Sequence, residues 1–202
     1  MNTKAKQGEA LNETDEQQPR ARRVDAQRNL RSLLQAAMEV FAQSGVDAPV
    51  REIAERAGVG VGTVYRHFPQ RADLIVAVMK SQIDDCADAA ASLAADCEPG
   101  EALARWMQRY VDFIVTKRGL SGALQSDNAA YAALPEYFFG RLRPALASLL
   151  RTAVERDVIR PGYEAEELLR AVATLCKANP DEDTATTRKM VGLLVDGLRC
   201  RP

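Results

Sequence analysis

The 202-residue sequence predicts an all-α protein. Three observations lead there. No convincing run alternates β-branched with polar residues, so no strand is indicated. Apolar residues recur instead at i, i+3, i+4 and i+7 over most of the chain, and glycine or proline stands where each periodic stretch stops. With 47% hydrophobic and 27% charged residues, the chain can bury a core and keep a solvated surface.

The first nineteen residues, MNTKAKQGEALNETDEQQP, are polar and carry few apolar side chains, so 1–23 reads as a disordered arm ending in Arg20, Arg22 and Arg23. Those arginines are equally a solvated run or a mobile arm reaching phosphates or a minor groove. From about residue 28, Leu30, Leu33, Leu34, Ala37 and Phe41 fall on one helical face, and Gly45 ends it. Val50, Ile53, Ala54 and Ala57 repeat the spacing until Gly58. A third, short helix fits Val61 to Phe68, and Pro69 cannot extend it without losing a hydrogen bond. The fourth starts near Gln70, with Leu74, Ile75, Val78 and Met79 inward.

Gly58 and Gly60 make a tight turn between two short helices, which is a helix-turn-helix. Gly62 is different, because it lies inside the new helix and costs about 1 kcal/mol there relative to alanine. Either two helices cross tightly at that point, or the helix lies hard against DNA. Charge favours the second reading. Net charge is −1 overall, but segment 20–71 carries +4, between −2 before it and −3 after it.

Beyond residue 80 the pattern stays helical. GEALARWMQRYVDFIV places Leu103, Trp106, Met107, Tyr110, Phe113 and Ile114 on a broad stripe, and a break follows at Gly119–Gly122. Tyr131, Tyr137, Phe138 and Phe139 follow with the polar Gln125 and Asn128. RLRPALASLLRTAVERDVI reads as a helix with Leu146, Leu149, Leu150 and Val154 inward. AEELLRAVATLCKA and TTRKMVGLLVDGLRC are the last two helices, joined by a turn at NPDED. Their apolar faces finish either a monomer core or a dimer interface.

Most chemistry is excluded by composition. A single histidine rules out a His-rich metal site, and four widely spaced cysteines offer no zinc ribbon and read as reduced cytosolic thiols. No GxSxG surrounds His67, and Gly58, Gly60 and Gly62 lack the GxGxxG spacing, so neither a catalytic triad nor a dinucleotide loop is expected. No metal, cofactor or catalytic residue is predicted. No apolar run approaches the ~18 residues that a membrane span needs, and the N-terminus has no secretory h-region. The expected location is the cytoplasm.

The order EVFAQSG, VREIAERAGV, GTVYRHF and PQRADLI over Leu30–Val78 resembles the DNA-binding domain of the TetR (tetracycline-repressor) family of transcriptional regulators. The resemblance implies a three-helix DNA-binding domain at 24–70 and a helical effector-binding and dimerisation domain at 71–202. It implies a homodimer on a palindromic operator of double-stranded DNA, a repressor released by a small effector. Residue by residue, it implies that Arg51 reads a guanine and that Thr63 meets a phosphate or a thymine methyl. Tyr65, His67 and Arg71 hold phosphates, and Arg66 lies at the exposed end of the recognition helix. Two positions depart from the family pattern. Pro49 and Val50 replace the usual capping threonine, and Val61 replaces a long polar residue, so Val61 reads only an apolar feature. The middle helices imply an apolar or aromatic effector against Trp106, Tyr110, Phe113, Asn128, Tyr131 and Phe138, although an aromatic stripe is more often simple core. The last two helices imply an interface of Leu168, Val172, Met190, Leu194 and Leu198. Two rivals stay open: a helical ligand-binding protein or enzyme with a structural helix-turn-helix, and a DNA-binding architectural module without an effector.

Overall fold

The computed structural model describes residues 13–116, 120, 128–178 and 184–199, with side chains from residue 27 onward. Eight α-helices carry the described chain: α1 Glu13–Ser44, α2 Val50–Ala57, α3 Val61–His67, α4 Arg71–Asp96, α5 Pro99–Thr116, α6 Leu134–Glu155, α7 Ala165–Ala178 and α8 Thr184–Leu198. A 3-10 turn at Ala129–Tyr131 precedes α6. Among the described residues, no helix is long and apolar enough to cross a membrane.

The N-terminal three helices follow the expected boundaries closely because their stops are chemical. Gly45 and Gly58 adopt φ of 79° and 67°, a left-handed backbone that β-carbon-bearing residues avoid. The N–H of Val59 reaches back to the Ala54 carbonyl at 3.0 Å and closes α2. The start of α1 differs from the expectation. The helix begins at Glu13, inside the segment read as a disordered arm, and 1–12 lie outside the described residues. Glu, Gln, Arg and Ala are strong helix formers, and a helix continued from a packed segment does not need an apolar stripe of its own.

Leu33, Leu34, Ala37, Met38, Val40 and Phe41 of α1 pack with Ile53 and Ala54 of α2 and Val64 of α3. Two polar ties add to this: Arg56 donates to Gln43 at 3.0 Å, and the Ser44 hydroxyl donates to Glu52 at 3.3 Å. The long α4 is the spine, packed on α1 at one end and on α5 and α6 along its length. Gln70 and Asp73 form a capping box at its start. α4 is fastened to α6 by a polar cluster. The Tyr137 hydroxyl and the Arg141 guanidinium both donate to Asp84, at 2.8 and 2.6 Å, and Arg141 also reaches Asp88. α6 runs unbroken through Pro144, longer than the helix expected from Arg141. Proline there forfeits the bond to the Gly140 carbonyl, and packing of Leu142 and Leu146, both fully buried, carries the helix across it.

The aromatic residues of α5 form the centre of the second domain. Trp106 and Tyr110 are 0% and 1% exposed. Their polar ends are satisfied inside: the indole N–H donates to the Cys86 carbonyl at 2.9 Å, and the Tyr110 hydroxyl donates to the Leu169 carbonyl at 3.2 Å. Trp106, Tyr110, Phe113 and Phe138 stack in sequence, with centroids 5.8 to 6.2 Å apart. Tyr110→Phe is expected to lower the unfolding free energy by about 1 kcal/mol, the usual net value of one intramolecular hydrogen bond. Urea denaturation checks it, and an unchanged midpoint removes the Tyr110–Leu169 bond from the account.

Candidate nucleic-acid interface

α3 is built to face outward. It has seven residues and buries only Val64, which is 1% exposed. Val61 and Tyr65 are 37% and 53% exposed, although large apolar side chains normally seek cover. Arg66 and His67 are exposed beside them, Thr63 is half-buried, and Phe68 turns partly into the core. A β-carbon built on Gly62 meets nothing within 4 Å. Among the described residues no helix crosses tightly at Gly62, which does not support the packing explanation of that glycine. Its bare backbone opens onto solvent between Val61 and Tyr65.

Arg51 lies in the first turn of α2, and its Nε donates to Glu55 at 2.9 Å. The side chains are 81% and 66% exposed. An exposed i, i+4 pair is weak in water and does not hold Arg51 against a better partner. Nε takes the carboxylate, and among the described residues no bond is made by the terminal nitrogens, which leaves them for a bidentate contact.

Arg71 departs from its expected phosphate role. The side chain is half-buried, and its terminal nitrogens donate to the backbone carbonyls of Val46 and Ala48. Two of the guanidinium's donors are thereby engaged inside the chain.

The predicted effector wall and dimer face also change. Trp106, Tyr110 and Phe113 are core, packed ring on ring. Asn128 is exposed, and its side chain accepts the Ala130 N–H at 2.9 Å as a turn cap. Gln125 and the 179–183 turn lie outside the described residues. Beside the aromatic cluster, among the described residues, a small gap with no room for a water molecule lies between Met38, Met79, Gln82, Phe113, Thr116 and Leu120. On the last two helices, Leu168, Val172 and Leu198 are at most 5% exposed and fill the monomer core. Met190 and Leu193 are exposed at 40% and 59%, with Leu194 half-buried beside them. Leu193 escaped the sequence reading because periodicity alone does not distinguish the two apolar sides of α8.

A profile described as bacterial regulatory proteins of the tetR family matches residues 33–78, and one described as the C-terminal domain of SbtR-like transcriptional regulators matches 98–200. The second spans half of the chain. The chain belongs to the TetR family. Solved TetR-family relatives share the whole architecture. A TetR transcriptional regulator of Streptomyces coelicolor is 31% identical, covering 86% of this chain and 99% of that one, with a TM-score of 0.75. A TetR regulatory protein of Mycobacterium vanbaalenii is 33% identical over 88% and 99%, with a TM-score of 0.69. A helix-turn-helix type transcriptional regulator of Staphylococcus aureus is 35% identical over 63 residues, covering 31% of this chain. That match spans about a third of the relative's length, 34%. The tetR-family match covers the second half of α1, α2, α3 and the start of α4, and the SbtR-like match covers α5 to α8.

Proposed function

We propose that this TetR-family protein is a cytoplasmic, non-enzymatic repressor that binds a palindromic DNA operator as a homodimer and is released by a small apolar effector. The observation that carries the reading is α3: a short helix with one buried residue, an open glycine, and Val61, Tyr65, Arg66 and His67 outward. Such a face has no intramolecular purpose, and it fits a major groove, with Val61 suited to a thymine methyl and Tyr65 and His67 to phosphates. The +4 charge of 20–71 favours the same partner.

The effector reading moves from the aromatic stack to the gap at the domain junction. Met38, Met79, Phe113 and Leu120 line it, with Gln82 and Thr116 as polar members. Methionine side chains repack readily, so an apolar ligand enlarges this small gap by displacing them. Ligand there touches α1 and α4 together, which suits release from DNA.

Genomic footprinting of bound sites tests the whole reading, and an absence of any enriched palindrome overturns it. Arg51 supplies a finer test. Arg51→Ala is expected to cost roughly 1–3 kcal/mol on the cognate site and little on random duplex. Equal losses on both make Arg51 a phosphate contact instead of a reader.

A further inference from the structure

A polar tie between α4 and the N-terminal helices is made by Arg71. It is the first residue of α4, yet its guanidinium turns back to the segment joining α1 to α2. One terminal nitrogen donates to the Val46 carbonyl and the other to the Ala48 carbonyl, the latter at 2.6 Å. Apart from the packing of Val46 and Ala48 on the core, few bonds order that segment. The Ala48 N–H donates to the Gly45 carbonyl at 3.2 Å, and Pro49 precedes α2 with no side-chain cap. Val46 is half-buried and Ala48 buried, so their carbonyls need partners within the fold. On the C-terminal-domain side, the 3-10 turn Ala129–Tyr131 packs on α4. The Tyr131 phenol there is pushed up by burial, and the Arg71 charge pulls it part of the way back.

We infer that Arg71 is a positioning residue: it clamps the α1–α2 segment to the start of α4, so that α2 and its Arg51 take their orientation from α4 and from the Ala129–Tyr131 turn behind it. The chemistry is specific to arginine. A planar guanidinium reaches two carbonyls 2 residues apart with two separate nitrogens. A lysine ammonium keeps the charge but is a single point that cannot reproduce the fork. A phosphate contact, by contrast, is largely rescued by lysine. The inference rests on the DNA-binding reading for its functional consequence, but not for the clamp itself.

The experiment uses the full chain as wild type, Arg71→Ala and Arg71→Lys. Binding is measured over a range of salt on a duplex selected from random sequence by the wild-type protein. Amide hydrogen exchange is followed in the same three proteins without DNA. Both variants are expected to bind the selected duplex about tenfold more weakly or worse, as loss of charge-assisted bonds implies. The salt slope should be unchanged, lysine should give no rescue, and exchange should accelerate across residues 45–52. Rescue by lysine, with a slope lowered by about one unit in the alanine variant, overturns the clamp in favour of a phosphate contact. Unchanged exchange across 45–52 overturns it independently of DNA. Acceleration throughout the lysine variant also overturns it, by making Arg71 a general stabiliser of the fold. If the wild type selects no sequence while exchange responds as expected, the DNA reading fails and the clamp stands.

Discussion

Gly62→Leu abolishes specific DNA binding while leaving thermal stability equal to the parent's or higher. Both halves follow from the position. A β-carbon at Gly62 meets nothing within 4 Å, so leucine enters open space. Leucine also favours helix by somewhat under ~1 kcal/mol relative to glycine, which α3 gains directly. Against DNA the same side chain is an obstruction, because it stands out between Val61 and Tyr65 and holds the helix off the groove floor. The loss should exceed that of any single contact, since every base-edge distance on α3 grows together. Gly62→Ala should fall between parent and leucine in affinity. Mobility-shift titration and differential scanning calorimetry check the pair of expectations. A variant that unfolds makes Gly62 a folding residue, and one that binds normally removes α3 from the groove.

Leu193→Glu converts the protein to a folded monomer that binds DNA weakly. Leu193 is 59% exposed on α8, beside Met190 and next to the half-buried Leu194. These residues form an apolar strip on the outer side of a helix whose inner side, Val191, Val195 and Leu198, is already packed. In a two-fold dimer each strip meets its own copy, so one substitution introduces two carboxylates into the same desolvated contact. Two operator half-sites then lose their linkage, and the avidity of the dimer disappears. Leu198→Glu is the control. It buries a charge in the monomer core and should unfold the C-terminal domain instead. Analytical ultracentrifugation separates the outcomes. A Leu193→Glu protein that remains a tight dimer places the interface elsewhere.

Legible in the sequence are the fold class, α2, α3 and the end of α1, and the outward character of α3. These are local properties. Gly45 and Gly58 stop helices through backbone freedom at single positions, Pro69 bars continuation of α3, and the spacing of Leu33, Leu34, Ala37 and Phe41 selects one helical face without knowledge of its partner. The motif order over Leu30–Val78 was legible for the same reason. Tertiary structure decided the rest, because it depends on residues far apart in the chain. Trp106 lies on a stripe that is more often core but also suits a cavity wall, and the tertiary structure makes it core, fully buried with the Cys86 carbonyl 2.9 Å from its indole. Arg71 looked like a phosphate ligand by its place at a helix start, and only the fold of the α1–α2 segment brings the carbonyls of Val46 and Ala48 to it. On α8, helical spacing marks Leu193 and Leu198 as apolar without saying which faces inward. That choice belongs to the packing of α8 on α5 and α7. Periodicity gives each helix its apolar residues, but the sides they turn to the core are fixed only when the neighbouring helices are in place.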